Sequence, residues 1–166
     1  MSVTITVDGA DYLYPSSGEV DTAQKQIEFA RAVAAAASAP AVSLVTFSAG
    51  TAPADTSLNF LRPFGSNQNA GGMEISFRVP LDCIISRLYV QAANGPAGAG
   101  LTITVRKNGV DTLLACVLPV AGTQVADLLN SVTFAAGDRI SVSCVGGVGI
   151  SGTANQVYAA MKVTEV

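Results

Sequence analysis

Leu101-Thr-Ile-Thr-Val-Arg-Lys-Asn-Gly-Val-Asp-Thr-Leu-Leu-Ala-Cys-Val-Leu118 is the stretch in which side-chain periodicity and turn chemistry agree. Two runs of β-forming residues meet at Asn108-Gly109. A type I′ turn needs positive φ at both central positions, which Asn and Gly tolerate, and its twist matches that of the strands it joins. The pair therefore predicts a tight hairpin. Leu101, Ile103 and Val105 alternate with Thr102, Thr104 and Arg106, so one face goes to a core and the other is polar.

The same grammar continues on both sides. Upstream, Leu58–Phe64 reads as a strand ended near Pro63, and Met73, Ile75, Phe77 and Val79 share one face of the next. Pro80-Leu81-Asp82 turns into a strand over Cys83–Gln91 with Ile85 inward. Asn94–Gly100 is a loop of Gly, Ala and Pro. Downstream come a loop at Pro119–Gly122, a strand or short turn over Val125–Leu129, and a strand over Ser131–Phe134. Ala135-Ala136-Gly137-Asp138 turns into Arg139–Val145, with Ile140, Val142 and Cys144 inward; after a loop at Gly146–Gly152, Val157, Ala159, Met161 and Val163 mark a final strand. About eight short strands with no helix between them predict an antiparallel β-sandwich of jelly-roll type over 58–166.

The N-terminal part differs. Val3, Ile5 and Val7 alternate with Ser2, Thr4 and Thr6, and Asp8-Gly9 signals a turn before Tyr12-Leu13-Tyr14-Pro15. Pro15 cannot donate to a ladder, so the second strand ends there or lies at an edge. Asp21 with Gln24 fits a capping box, predicting a helix to about Ser38 with Pro40 as its stop. Ala23, Ile27, Ala30, Ala34 and Ala37 follow the spacing of a coiled-coil seam, and Phe29, Val33 and Ala36 widen that stripe. Two readings stay open: a helix packing between chains, or one lying on its own domain. Residues 1–39 thus form a strand-turn-strand-helix module, and 40–57, rich in Ala, Ser and Thr with a short strand at Ser43–Phe47, read as a linker.

Composition narrows function. Charged residues are 13% of the 166, about half of the ~25% usual in soluble domains, and mean hydropathy is +0.44. Such a chain either clads its surface in Ser, Thr, Asn and Gly or buries part of it against other chains. The nine Lys and Arg are scattered, each lone Arg reading as a solvated strand residue, and the net charge is −3. No basic stripe exists to neutralise phosphates, which argues against nucleic acid as a partner. No run of about 20 apolar residues is present to span a membrane, and the Ala30–Ala41 stretch sits behind an acidic segment, so no targeting signal is expected.

Catalytic chemistry is thin. With no histidine there is no Ser-His-Asp or Cys-His machinery and no histidine metal site. The acids Asp55, Glu74, Asp82, Asp111, Asp127, Asp138 and Glu165 fall mostly at turns, where Asp commonly bonds its own backbone. The Gly65–Gly72 loop lacks the helix a phosphate-binding loop requires. Cys83, Cys116 and Cys144 form no C-x-x-C pair and read as buried free thiols, with one bridge or a reactive thiol as the alternative. Neither an enzyme, a metal nor a cofactor is expected. Tyr89 and Tyr158 are the aromatic candidates for a sheet surface that could hold a carbohydrate.

Val79-Pro-Leu-Asp-Cys-Ile-Ile-Ser-Arg-Leu, Val105-Arg-Lys-Asn-Gly-Val-Asp-Thr and Phe134-Ala-Ala-Gly-Asp-Arg-Ile-Ser-Val, in that order, resemble a recurrent sandwich of tailed-bacteriophage structural proteins, itself similar to the trimeric tumour-necrosis-factor and C1q type. The resemblance covers about Met73 to Val166. Val7-Asp-Gly-Ala-Asp-Tyr-Leu-Tyr-Pro-Ser-Ser-Gly-Glu is similar to the strand-turn-strand-helix opening of small phage virion proteins, although Gln24-Lys25-Gln26 stand where an aromatic is usual. The resemblance implies a homotrimeric capsid decoration, cement or head-fibre protein, assembled in the host cytoplasm and localised to the virion. Its partner would be the major capsid protein or another virion protein, anchored through Tyr12, Tyr14, Ile27, Phe29 and Val33. The second reading is a receptor-binding tip that holds a host-surface glycan through the loops Asn94–Gly100 and Gly146–Asn155.

Overall fold

A computed structural model describes residues 3–7, 10–14, 31, 42–52, 54–64 and 69–166. The chain divides into two compact units, Met1–Pro40 and Ala41–Val166. In the first, β1 (Val3–Val7) and β2 (Ala10–Tyr14) pair antiparallel, with Val3 opposite Tyr14 and Val7 opposite Ala10, so the expected hairpin forms. Of the helix expected over 21–38, Arg31 alone falls among the described residues; its backbone is helical and it is exposed. Ile27, Phe29 and Val33 lie outside the described residues.

The second unit is all antiparallel β. Its strands are β3 (Val42–Ala52), β4 (Asn59–Pro63), β5 (Phe77–Arg78), β6 (Cys83–Gln91), β7 (Leu101–Lys107), β8 (Val110–Leu118), β9 (Gln124–Phe134), β10 (Arg139–Gly146) and β11 (Ala154–Glu165). Their order is β8-β7-β10-β4-β3-β11-β6-β9, with β5 joined to β10. The ends of that path, β8 and β9, come back beside each other, so the sheet nearly closes on itself. Inward residues alternate as the sequence predicts: Leu101, Ile103 and Val105 on β7, Ile140, Val142 and Cys144 on β10, and Val157, Ala159 and Met161 on β11 are buried around Phe47 and Phe134. Each Val, Leu, Ile, Phe or Met side chain among them contributes about 1.5–3 kcal/mol when taken from water.

The organising hairpin is as read. Asn108 and Gly109 have φ of 53° and 83°, and Lys107 pairs with Val110 across the turn. Three sequence expectations change. The segment 40–57 is no linker, because Val42–Ala52 is an eleven-residue strand that pairs with β11 along nearly its whole length. Its Ser, Thr, Ala and Gly content reads as connection, yet Val45, Phe47, Ala49 and Ala52 alternate inward often enough to seat it in the core. The run from Met73 to Val79 forms only a two-residue strand, and Met73 is exposed. It lies instead across β10, where Glu74 accepts a 2.5 Å hydrogen bond from the Ser141 hydroxyl. That contact helps bury Ser141, on the side of β10 opposite its core residues. Finally, β9 is one strand interrupted by a bulge rather than two pieces. Leu88 pairs with Asp127 and Ser86 with Ser131, so residues 128–130 stand opposite Arg87 alone.

Asp127 organises that bulge and the seam beside it. Its carboxylate accepts from the backbone N–H of Leu129 (3.0 Å) and Asn130 (3.1 Å), and from the Asn130 side-chain amide (2.8 Å). It also accepts from the N–H of Ala115 on β8 (3.2 Å). Here one carboxylate joins two strands that share no ladder.

Candidate interaction face

The outer surface of β3, β11, β6 and β9 can be read row by row from the register. Leu44, Lys162, Ser86 and Ser131 lie side by side; next come Thr46, Ala160, Tyr89 and Ala126, and then Ser48, Tyr158, Gln91 and Gln124. Lys162 is the single charged residue in the three rows. Tyr89 and Tyr158, named from sequence as surface aromatics, are 51% and 47% exposed, and the fold brings them together. With Gln91, Gln124, Ala126 and Ala160 they line a shallow groove of about 340 Å³. Its walls carry phenols, carboxamides and methyl groups and no ionisable group that is charged at neutral pH.

The charges sit elsewhere. Beside β7 and β10, Arg106 bridges Glu74 (3.2 Å) and Asp111 (2.6 Å), bonds the Gly109 carbonyl, and lies 5.3 Å from the Phe60 ring centroid. Expected as a solvated residue, it is largely covered, because its partners Phe60 and Glu74 are distant in sequence. Lys107 pairs with Asp138 at 2.9 Å and sits over the Phe134 ring. The Asn108 side chain, then Lys107 and the Ala135 N–H, hold the Asp138 carboxyl down to about 2. Asp127 is also held below the ordinary carboxylate value: burial alone would raise it, but the hydrogen bonds from Asn130, Leu129 and Ala115 outweigh burial.

The three motifs that carry the family resemblance meet at one end of this sandwich. Asn108 donates through Nδ2 to Asp138 (2.8 Å) and accepts through Oδ1 from the Arg139 N–H (2.8 Å). Val79 and Asp138 are joined by the Val79 N–H to the Asp138 carbonyl (2.8 Å), and Asp82 accepts from the Ala136 N–H (2.7 Å). The polar side chains of these motifs fix turns. At another place, the loops 94–100 and 146–153 are bonded together: the Ala97 carbonyl accepts from the Ser151 N–H (2.8 Å), and the Asn94 amide donates to the Thr153 carbonyl (3.2 Å). A Cβ on Gly95 would stand 2.2 Å from the Gly122 carbonyl oxygen, which ties a third loop into the same cluster.

Cys83, Cys116 and Cys144 are free and buried. Burial pushes the Cys116 and Cys144 thiols up to about 12, with Asp127 and Asp55 respectively adding to the shift, and burial with Asp82 raises Cys83. These are inert positions for a nucleophile. Among the described residues, no group of three His, Cys, Asp or Glu could hold a metal ion, and no helix is long and apolar enough to cross a membrane. Tyr12 and Tyr14 take their places on β2, opposite Ile5 and Val3.

The fold therefore defines an antiparallel all-β module with one face poor in charge, where Lys162 and the exposed Arg87 of the β6 bulge are the charged side chains, and one face carrying the ion pairs. No family model matches the chain, and no curated protein matches it. Among solved structures, the dimeric latent PorU of Porphyromonas gingivalis is similar at a TM-score of 0.40 and 8% identity. That alignment covers 76% of this chain and 13% of the PorU chain.

Proposed function

We propose that the chain is a structural component of a tailed-phage virion, of the head-decoration, cement or head-fibre type. It assembles as a homotrimer through the outer face of β3, β11, β6 and β9 and attaches to the particle through residues 1–39. The observation that carries this reading is the segregation of charge. Of the two outer surfaces, one carries the Arg106 and Lys107 ion-pair networks, while the other presents Tyr89, Tyr158, Leu44 and small uncharged side chains, with Lys162 and Arg87 as its charged residues. Aromatic residues set among uncharged neighbours suit the desolvated centre of a protein interface. The strand order supports a jelly roll: β3-β11-β6-β9 and β4-β10-β7-β8 read as two four-stranded sheets, and apart from the β7–β8 hairpin and the short β5 beside β10 successive strands cross between them, as in a pair of Greek keys.

Light scattering on the full chain tests the assembly. The expected mass is three times 16.8 kDa, held on dilution, and Tyr89→Arg with Tyr158→Arg should yield a folded monomer. A wild-type chain that stays monomeric at high concentration would break the trimer reading. Co-sedimentation with phage capsid shells, with and without residues 1–39, tests attachment.

The Tyr-Gln groove favours a second reading, a carbohydrate-binding tip of a tail fibre. Neutral sugars stack their apolar faces on aromatic rings and exchange hydrogen bonds with carboxamides. Tyrosine-fluorescence titration with neutral oligosaccharides separates the two, since a self-association face responds to protein concentration and not to sugar.

A further inference from the structure

Among the described residues, the wall of the second unit has a gap beside the first residues of β3. β4 pairs with β10 at Val142–Cys144, and β5 pairs with the same side of β10 at Arg139–Ile140, so β5 continues the line of β4. Between them the chain leaves the wall at Phe64. On the other side of that line, β3 meets β4 only at Phe47 and Ser48, with one further bond from the Phe64 N–H to the Thr46 carbonyl (3.0 Å). Over Val42–Val45, β3 pairs with β11 on one side and, among the described residues, with no strand on the other.

Behind this gap lies an apolar pocket of about 220 Å³. Phe77, Val79, Cys83, Ile85, Ile140 and Val163 are among its walls, and Leu44, Phe64 and Leu81 stand exposed at its rim. Cavities of roughly 150 Å³ with such linings accept a benzene-sized group. Phe64 has φ of 63°, a conformation that a bulky residue rarely adopts and that is commonly retained where it serves a site. Here it holds the ring at the mouth, 5.1 Å from Phe77. Glu165 is the charged residue of the lining.

We propose that this gap is a strand-addition site for an extended segment of another polypeptide. The segment pairs its backbone with the open edge of Val42–Val45, places one bulky apolar side chain in the pocket, and carries a Lys or Arg beside it to meet Glu165. An open edge with an adjoining pocket is the arrangement by which sheets capture extended peptides, the backbone supplying affinity and the pocket specificity. The site does not depend on the trimer reading, because it rests on the β4-side edge of β3 and the pocket behind it; of the outer face it shares the Leu44 side chain.

The test uses the full chain and a blocked hexapeptide that alternates threonine with phenylalanine and ends in lysine. Titration followed by amide NMR should shift Ser43–Val45 and Cys83 saturably and slow exchange of alternate amides over Val42–Val45 by tenfold or more. Leu81→Trp, at the exposed rim, should weaken binding at least tenfold, as should replacing the peptide phenylalanines by alanine. Exchanging the peptide lysine for glutamate should weaken it severalfold, and Glu165→Lys should reverse that preference. A flat titration up to roughly 1 mM peptide overturns the proposal. So does binding that ignores both the alanine peptide and Leu81→Trp, or full protection of the Val42–Val45 amides in the free chain, which would mean that the edge is already covered.

Discussion

Asp127 is 8% exposed and accepts four hydrogen bonds. Replacing it with Ala would leave the N–H groups of Ala115, Leu129 and Asn130 without their acceptor at a partly buried seam, a cost of about 3 kcal/mol, measurable as a lower urea midpoint at unchanged slope. The pH dependence has a definite sign. Because the folded carboxyls of Asp127 and Asp138 titrate below the unfolded value of about 3.9, their stabilisation is complete above that value. It is lost as pH falls through the folded ones, about 2 for Asp138. Urea midpoints measured from pH 6 to pH 2 should therefore hold steady and then drop below pH 4, and Asp127→Ala should flatten part of that drop.

At the scale of elements, turns and loops carry the constraints. Asn108→Ala keeps the positive φ but loses the bonds to Asp138 and the Arg139 N–H, and should cost about 1–2 kcal/mol. Gly95→Ala should also destabilise, by about 1–3 kcal/mol, since the added carbon meets the backbone of Gly122 and a loop must move. Thermal melts of the two variants check both values. What could be read in advance follows the same division. The Asn108-Gly109 hairpin, the Ala135–Asp138 turn, Ile85 on β6 and the inward faces of β7, β10 and β11 were legible, because each depends on residues adjacent in the chain. The strand at Val42–Ala52 was not, since small polar residues there resemble a linker until β11 is placed beside them. Nor was the covering of Arg106 by Phe60 and Glu74, contacts that exist only once β10 has brought their segments together. Of the candidate face, Tyr89 and Tyr158 could be picked out as alternate outward residues. Their adjacency to each other and to Gln91 and Gln124 depends on register, which the bulges at Arg87 and at 128–130 set and no local pattern announces.

For the whole molecule, the charge-poor face has a consequence in solution. An assembly held by Tyr89, Tyr158 and their neighbours should change its dissociation constant by less than about threefold between low and high salt, because among the described residues no ion pair lies there to be screened. Sedimentation equilibrium at two ionic strengths reads this directly, and a large salt dependence would point instead to the Arg106 and Lys107 side. The thiols report on the unit as a body. Cys83, Cys116 and Cys144 lie on three different strands and are all buried, so a thiol reagent at pH 8 should label none quickly in the native protein. All three should react together on unfolding.

The two long seams of the sandwich are fastened in different ways. Along one, β4 bonds to both β3 and β10, so a short backbone spine at Thr46–Ser48 joins the two halves. Along the other, β8 and β9 are fastened by the Asp127 carboxylate. Mechanically the body is a book with a bound spine and a single clasp. Under load, heat or acid it should open at β8 and β9 while the spine holds, exposing Leu114, Cys116 and Leu118 ahead of Phe47 and Leu61.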